Sequence, residues 1–237
     1  MTEKVLDSEK IVATISKLQA RVSERFPKSG LSKIAKTLEQ IAINARSRSK
    51  WIEKPVWWLR MLVWIGCLLF LATAGCLTYL AFQPLFHGGQ IADLLSNVET
   101  EINFLILIGG ATLFIWTLES RYKRWRALQA LHELRSVAHV IDMHQLTKDP
   151  DRVLSGGQNT SSSPDFKMTS YELRRYLDYC TEMLSLVGKI AALYVQKFDD
   201  PVALSAASEV EHTSTGLSRK IWQKLMILHT VKNEEES

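Results

Sequence analysis

Residues 61–86 read MLVWIGCLLFLATAGCLTYLAFQPLF, 26 positions without a charged side chain. A helix rising 1.5 Å per residue needs about 17–25 apolar residues to cross the hydrocarbon core of a bilayer. So long an uncharged run suits lipid better than a core that must face water on one side. Residues 102–118, INFLILIGGATLFIWTL, add a second uncharged run. The spacing predicts two membrane spans, at about 59–82 and 102–118, joined by a short external loop at 83–101.

The flanks orient this hairpin. Arg46, Arg48, Lys50, Lys54 and Arg60 precede the first span, and Arg121, Lys123, Arg124 and Arg126 follow the second. Residues 84–101 contain no Lys or Arg. Positive charge is retained on the cytoplasmic side, so both termini are expected inside, in a multi-pass protein of an inner (plasma) membrane. Trp51, Trp57, Trp58 and Trp64 crowd one entrance, and Trp116 and Trp125 the other. Indoles favour the headgroup zone because one edge is apolar and the other hydrogen-bonds. Residues 1–20 are charged and amphipathic, without a signal-peptide core, so the first span is expected to direct insertion itself.

Outside the hairpin the pattern is amphipathic helix throughout, and the chain reads as all-α. In the N-terminal section, 1–54, Ile11, Ile15, Leu18, Val22 and Phe26 form one stripe. Leu31, Ile34, Leu38, Ile41 and Ala45 form a second, beyond the breaker FPKSG at 26–30. The polar faces mix Glu with Lys, which favours packing or self-association over lying in the membrane interface. The hairpin section is 55–118, and 119–237 is expected to be a cytoplasmic antiparallel three-helix bundle with a mobile loop at 148–168. No breaker interrupts 111–149, so the second span is expected to run on as one helix to about Leu146.

Thr169 and Glu172 make a capping box for the next helix. Its seam is Leu173, Leu177, Cys180, Leu184, Val187, Ala191, Tyr194 and Phe198, with strict heptad spacing. Asp200-Pro201 opens the last helix with an N-cap and proline at N1. The stripe there is read as Val202, Ala206, Val210, Thr213, Leu217, Ile221, Leu225 and Leu228.

Chemistry concentrates in LHELRSVAHVIDMHQL, residues 131–146, which holds three of the six histidines. His132, Arg135, His139 and Asp142 advance by three, four and three, one stripe on a helix. Matching helices across the expected turns sets Arg135 opposite Glu182 and His139 opposite Asp178. The leading account is a semi-buried polar layer that fixes helix register. A second is a metal site drawn from His132, His139, Glu209 and His212, in which Glu209 and His212 have Glu-x-x-His spacing. A third is hydrolytic, with Arg135 stabilising charge and His139 moving protons. That pair superficially resembles the Arg/His helix of HEPN ribonuclease bundles, but its spacing does not match, and nothing is carried over.

Other signatures are missing. There is no GxxxxGK[ST], GxSxG or HExxH. The cysteines Cys67, Cys76 and Cys180 have no ligand spacing. Residues 127–237 contain 12 basic and 15 acidic side chains, which is no footprint for nucleic acid. The expectation is a non-enzymatic, membrane-anchored scaffold or signalling subunit that works by helix–helix association, without a cofactor. Its partners would be the lipid bilayer and either a second copy or another membrane protein. The alternatives are a helical effector with a metal-dependent or hydrolytic site around His139, and an oligomeric channel.

Overall fold

In the computed structural model the described residues are 6–53, 57–86, 91–150, 161 and 168–235, and they are mostly helical, with no strand among them. Six helices follow in order: α1 (Ser8–Arg25), α2 (Gly30–Glu53), α3 (Trp57–Phe86), α4 (Ile91–Leu146), α5 (Ser170–Val195) and α6 (Pro201–Glu235). The chain divides into two units, one of Met1–Glu53 with Arg126–Ser237, the other of Lys54–Trp125. Most of the loop expected at 148–168 lies outside the described residues.

The first unit is a bundle of five helical segments built around α5. Fourteen α5 residues are buried, among them Tyr176, Tyr179, Met183, Leu186, Ile190 and Leu193. These form a second heptad stripe beside the first, so that more than half of the circumference is buried while Arg174, Ser185 and Lys189 stay exposed. So broad an apolar face needs several neighbours. α1, α2 and α6 each pack on α5. The end of α4 closes the ring, with Lys148 Nζ 5.5 Å from the Tyr176 ring centroid.

The N-terminal pair therefore belongs to the bundle core and is not a separate section. Ile15, Leu18, Val22, Leu31 and Leu38 are buried in the same cluster as Leu134, Leu177 and Ile221. The three-helix bundle expected of 119–237 is extended accordingly to five helical segments, because α1 and α2 share its buried cluster.

Local signals set the helix ends. Asp7 Oδ1 accepts from the amides of Glu9 (2.8 Å) and Lys10, closing the start of α1. Between α1 and α2, Lys28 adopts the left-handed region, φ 63°. Gly30 proves to be the first residue of α2 and not only a stop. A Cβ there would collide with the His144 imidazole, so glycine permits the close approach of α2 to the end of α4. The capping box at α5 forms as read: Thr169 Oγ1 accepts from the Glu172 amide at 3.2 Å, and the Thr169 amide donates to Glu172 Oε2 at 2.8 Å. Asp200 Oδ1 accepts from Val202 (3.1 Å) and Ala203 (3.0 Å) ahead of α6.

The α6 stripe needs a one-residue adjustment. Val202 is 47% exposed, while Ala203, Ala207, Val210, Ser214, Leu217 and Ile221 are buried. The larger side chain was the better guess on hydrophobicity, but the small one lets α6 approach α5 closely. Gly188 on α5 lies beside Glu211 of α6, where a Cβ would make an ordinary contact at 3.7 Å. α1 and α6 both rest on α5 and leave between them an open groove of about 1070 Å³.

In the second unit α3 and the first part of α4 run antiparallel. Gly66 faces Thr112, Gly109 faces Phe70, and Arg60 Nε lies 3.6 Å from Glu119 Oε2. Small residues at these crossings allow the helices to approach. Glu119 also takes Lys123 Nζ at 2.9 Å. The connection is shorter than the loop expected at 83–101, because residues 83–86 and 91–101 are helical. Outward the unit is bare: Trp64, Leu68, Ile106, Leu107 and Trp116 are each about two-thirds exposed. Among the described residues one helix is long and apolar enough to cross a membrane. The stretch Ile102–Leu146 contains an 18-residue window of mean hydropathy 1.7, and Arg60–Cys76 is a shorter apolar segment.

Two outcomes follow. Leu18→Ala, in α1, will destabilise the five-helix unit by about 2–5 kcal/mol in denaturant unfolding, as a core truncation does; a change within about 0.5 kcal/mol would mean that α1 is no part of the core. The Glu172 carboxyl is held below its ordinary value of 4.5 chiefly by the Thr169 amide, with the Thr169 hydroxyl adding to it. Its folded pKa is depressed, so the stabilisation is present above about pH 4.5 and is lost as pH falls through the folded value. The gap in unfolding midpoint between wild type and Thr169→Ala, worth about 1 kcal/mol at neutral pH, will narrow in acid.

Candidate functional site

The polar ladder of α4 is dispersed by the fold. His132 and His139 are exposed, and Asp142 and Arg135 are partly buried. Arg135 Nη1 pairs with Glu209 Oε1 of α6 at 2.9 Å. Glu182 pairs with Arg21 of α1 at 2.6 Å, and Asp178 with Arg175 of its own helix at 3.2 Å. The Arg135–Glu182 and His139–Asp178 contacts expected from turn-matching are therefore not made. The reason lies in α1, which occupies the flank of α5 that carries Glu182, while α4 meets α6 through Arg135. The two histidines face water, while Arg135 lies at the contact with α6.

Asp142 accepts from Gln145 Nε2 at 2.7 Å, and His144 Nδ1 lies 3.0 Å from the Val140 carbonyl of its own helix. His212 and Glu209 are exposed on α6. Among the described residues no group of three or more His, Cys, Asp or Glu side chains converges as a metal ion requires. His132, His139, Glu209 and His212 are thus not gathered into one donor set.

Two other clusters are more closely knit. The first lies where α1 crosses α5. Arg175 stands 4.9 Å and Arg21 5.8 Å from the Tyr179 ring centroid, and Arg25 stands 5.4 Å from that of Tyr171. Phe26 meets Tyr176 and Tyr179 edge-on, with centroids 5.4 and 6.3 Å apart. Burial pushes the Tyr179 phenol up, but hydrogen bonds from Arg175 and Arg25, with their charges, more than offset it and hold the phenol below its ordinary value. Glu182 and Asp178 neutralise two of these guanidiniums. The cluster is a clamp of cation–π and ionic contacts that seats α1, and it has little free positive charge to offer an anion.

The second cluster closes the end of α4. Lys224 Nζ donates to the carbonyls of Gln145 (2.9 Å) and Lys148 (3.2 Å), which lie at a helix C-terminus where a cation is favoured. Burial lowers the Lys224 pKa, and Asp149 and Asp142 pull it back up. Burial likewise lowers that of Lys148. Between these ammonium groups sits Cys180, whose thiol burial pushes up to about 12 in spite of them. A thiol so protonated is neither nucleophile nor metal ligand.

The local sequence did not mark the first cluster and marked the second only in part. Arg21, Arg25 and Arg175 read as solvated helix faces, while Lys224 interrupts the apolar stripe of α6 between Ile221 and Leu228, a signal the sequence did carry. Only the pairing of α1 with α5, and of α6 with the end of α4, gives them partners. Comparison with protein-family models, with curated proteins and with solved structures finds no match to this chain.

In a Cys67→Ala/Cys76→Ala chain, the remaining Cys180 will resist N-ethylmaleimide at pH 7.5 and label fully only in denaturant. Native labelling at the rate of a free thiol would contradict its placement among Tyr176, Lys148 and Lys224.

Proposed function

We propose that the chain is a two-span inner-membrane protein, with both termini cytoplasmic, acting as a non-enzymatic scaffold or signalling subunit through helix–helix association. The observation that carries this reading is the contrast between the two units. The unit of Lys54–Trp125 exposes a continuous apolar surface of Trp, Leu, Ile and Phe, far beyond what a water-soluble protein leaves bare. The other unit buries a conventional core and has a charged outer surface.

Charge supports the orientation. Basic residues border the two apolar runs on their N- and C-terminal sides and are missing from 84–101. The small residues Gly75 and Gly110 support association between copies, because a Cβ at either would meet nothing within 4 Å. They leave open helix surface that a neighbouring span can approach. A scaffold fits an outer surface where the reactive residue types are separated and paired off: Arg135 with Glu209, Glu182 with Arg21, Asp178 with Arg175.

Alkaline carbonate will leave the full chain in the membrane pellet, and fluorescent-protein fusions at either terminus will fluoresce, as cytoplasmic fusions do. Single-cysteine chains retaining Cys67 or Cys76 will give an oxidatively crosslinked dimer in membranes from at least one of the two. Release by carbonate would end the membrane assignment. Failure of both cysteines to crosslink, with a monomeric mass in nanodiscs, would end the association.

A further inference from the structure

We infer that the outer face of α4 between Leu107 and Trp125 binds an anionic phospholipid of the cytoplasmic leaflet, with the lipid phosphate on Arg121. The inference rests on the membrane reading proposed above and adds to it a lipid class and a place. Leu107, Phe114 and Arg121 follow at steps of seven, and Trp125 stands one turn further on, so the four share one side of the helix. Thr112 faces Gly66 of α3, and Glu119 meets Arg60 of α3. Those two mark the opposite side of α4. The line from Leu107 to Trp125 therefore looks away from α3, and Leu107, Phe114 and Trp125 are each more than half exposed.

Arg121 decides what this face takes. Its side chain is turned back along α4, with Cζ 5.8 Å from the Phe114 ring centroid. Helical side chains lean towards the N-terminus, which for α4 at this point is towards the apolar run. The guanidinium thus lies over the border of the hydrocarbon zone. Among the described residues no carboxylate pairs with it, whereas Arg60 and Lys123 share Glu119 at 3.6 and 2.9 Å. A charge at that depth is costly unless an anion meets it. A second copy is no source of that anion, because in the same orientation it brings the same basic end to the same level. Association through Gly75 of α3 also leaves this face of α4 free. A phospholipid phosphate offers two oxygens to the guanidinium fork. Its acyl chain then runs along Phe114 and Leu107. Trp125, stacked on Tyr122 with ring centroids 6.3 Å apart, stands at the headgroup border that indoles favour.

The charge balance selects the anionic class. At this end of the unit Arg60, Arg121, Lys123 and Arg124 stand against the single carboxylate of Glu119. A zwitterionic head brings an ammonium into that positive field and is repelled, while a phosphate carrying an uncharged polyol is not. At the other end, residues 84–101 hold no Lys or Arg, so the preference belongs to one leaflet.

The test uses the full chain in a neutral detergent, with bound phospholipid counted by native mass spectrometry. Dioleoyl phosphatidylglycerol should bind about fivefold better than dioleoyl phosphatidylcholine, the effect of one basic side chain on an anionic lipid. Arg121→Gln should abolish that preference, and Arg121→Lys should keep part of it. Phe114→Ala should weaken both lipids alike, and Arg60→Gln should leave the preference standing. Spin-labelled forms of the same two lipids in reconstituted vesicles should show the same order in a bilayer. Equal binding of the two lipids by the wild-type chain would overturn the site. So would an equal loss from Arg60→Gln, Arg121→Gln and Arg124→Gln, which is the mark of a diffuse basic surface. Loss of the bound lipid on oxidative crosslinking through Cys67 or Cys76 would put a second copy on this face and overturn it as well. Carbonate extraction is read separately: a chain that stays in the pellet without a lipid preference keeps the membrane assignment and loses only this site.

Discussion

The bundle depends on one constraint: α5 carries two adjacent apolar stripes, a face too broad for one neighbour to cover. Tyr176, Tyr179, Met183, Leu186 and Ile190 form one stripe, and Leu173, Leu177, Cys180, Leu184 and Val187 the other. Burying a large apolar side chain stabilises by about 1.5–3 kcal/mol. α1 and α2 are therefore recruited from the far N-terminal end of the chain, and the end of α4 and all of α6 complete the surround. The residual opening between α1 and α6 is where α5 shows its most polar face, with Thr181, Ser185 and Lys189.

Polar contacts then follow the packing. Once α1 lies on α5, Arg21 takes Glu182 and the Tyr179 ring lies beneath two guanidiniums, those of Arg21 and Arg175. Once α6 runs beside α4, Lys224 reaches the carbonyls that end α4, and Arg135 meets Glu209. Exposed ion pairs of this kind contribute at most about 1 kcal/mol each. They select register among packings that the apolar core already makes stable. The Cys180 thiol is a by-product of the same enclosure, buried deeply enough to be chemically silent.

Read from the residues, the helices were plain and their neighbours were not. The stripes of α1 and α2, the capping box at Thr169, the N-cap at Asp200 and the continuity of α4 to Leu146 are local properties, set by side chains three or four positions apart. The α5 seam Leu173 to Phe198 was legible too, but it was read as one stripe when the helix has two. Tyr176, Tyr179, Met183, Leu186, Ile190 and Leu193 form a second heptad stripe beside it, and local spacing does not say which further helix covers that stripe. The α4 ladder misled for the opposite reason. Histidine, arginine and aspartate at helical spacing resemble a site, yet whether they converge depends on which helix lies opposite, and α1 had already taken Glu182.

By itself the sequence determined the helical class, the ends of most helices, the two apolar runs with their basic flanks, and the absence of nucleotide, hydrolase and zinc-protease motifs. These depend on periodicity, capping and charge within a few residues. Only the tertiary structure decided that the N-terminal pair joins the core, that Ala203 and Ala207 replace Val202 and Ala206 at the α6 contact, that the histidine ladder faces solvent, and that a groove with an unsatisfied Ser214 hydroxyl remains. Each of these depends on which surfaces meet across more than a hundred residues of chain. That choice is made by the summed burial of both apolar stripes of α5, and no local stretch of residues contains it.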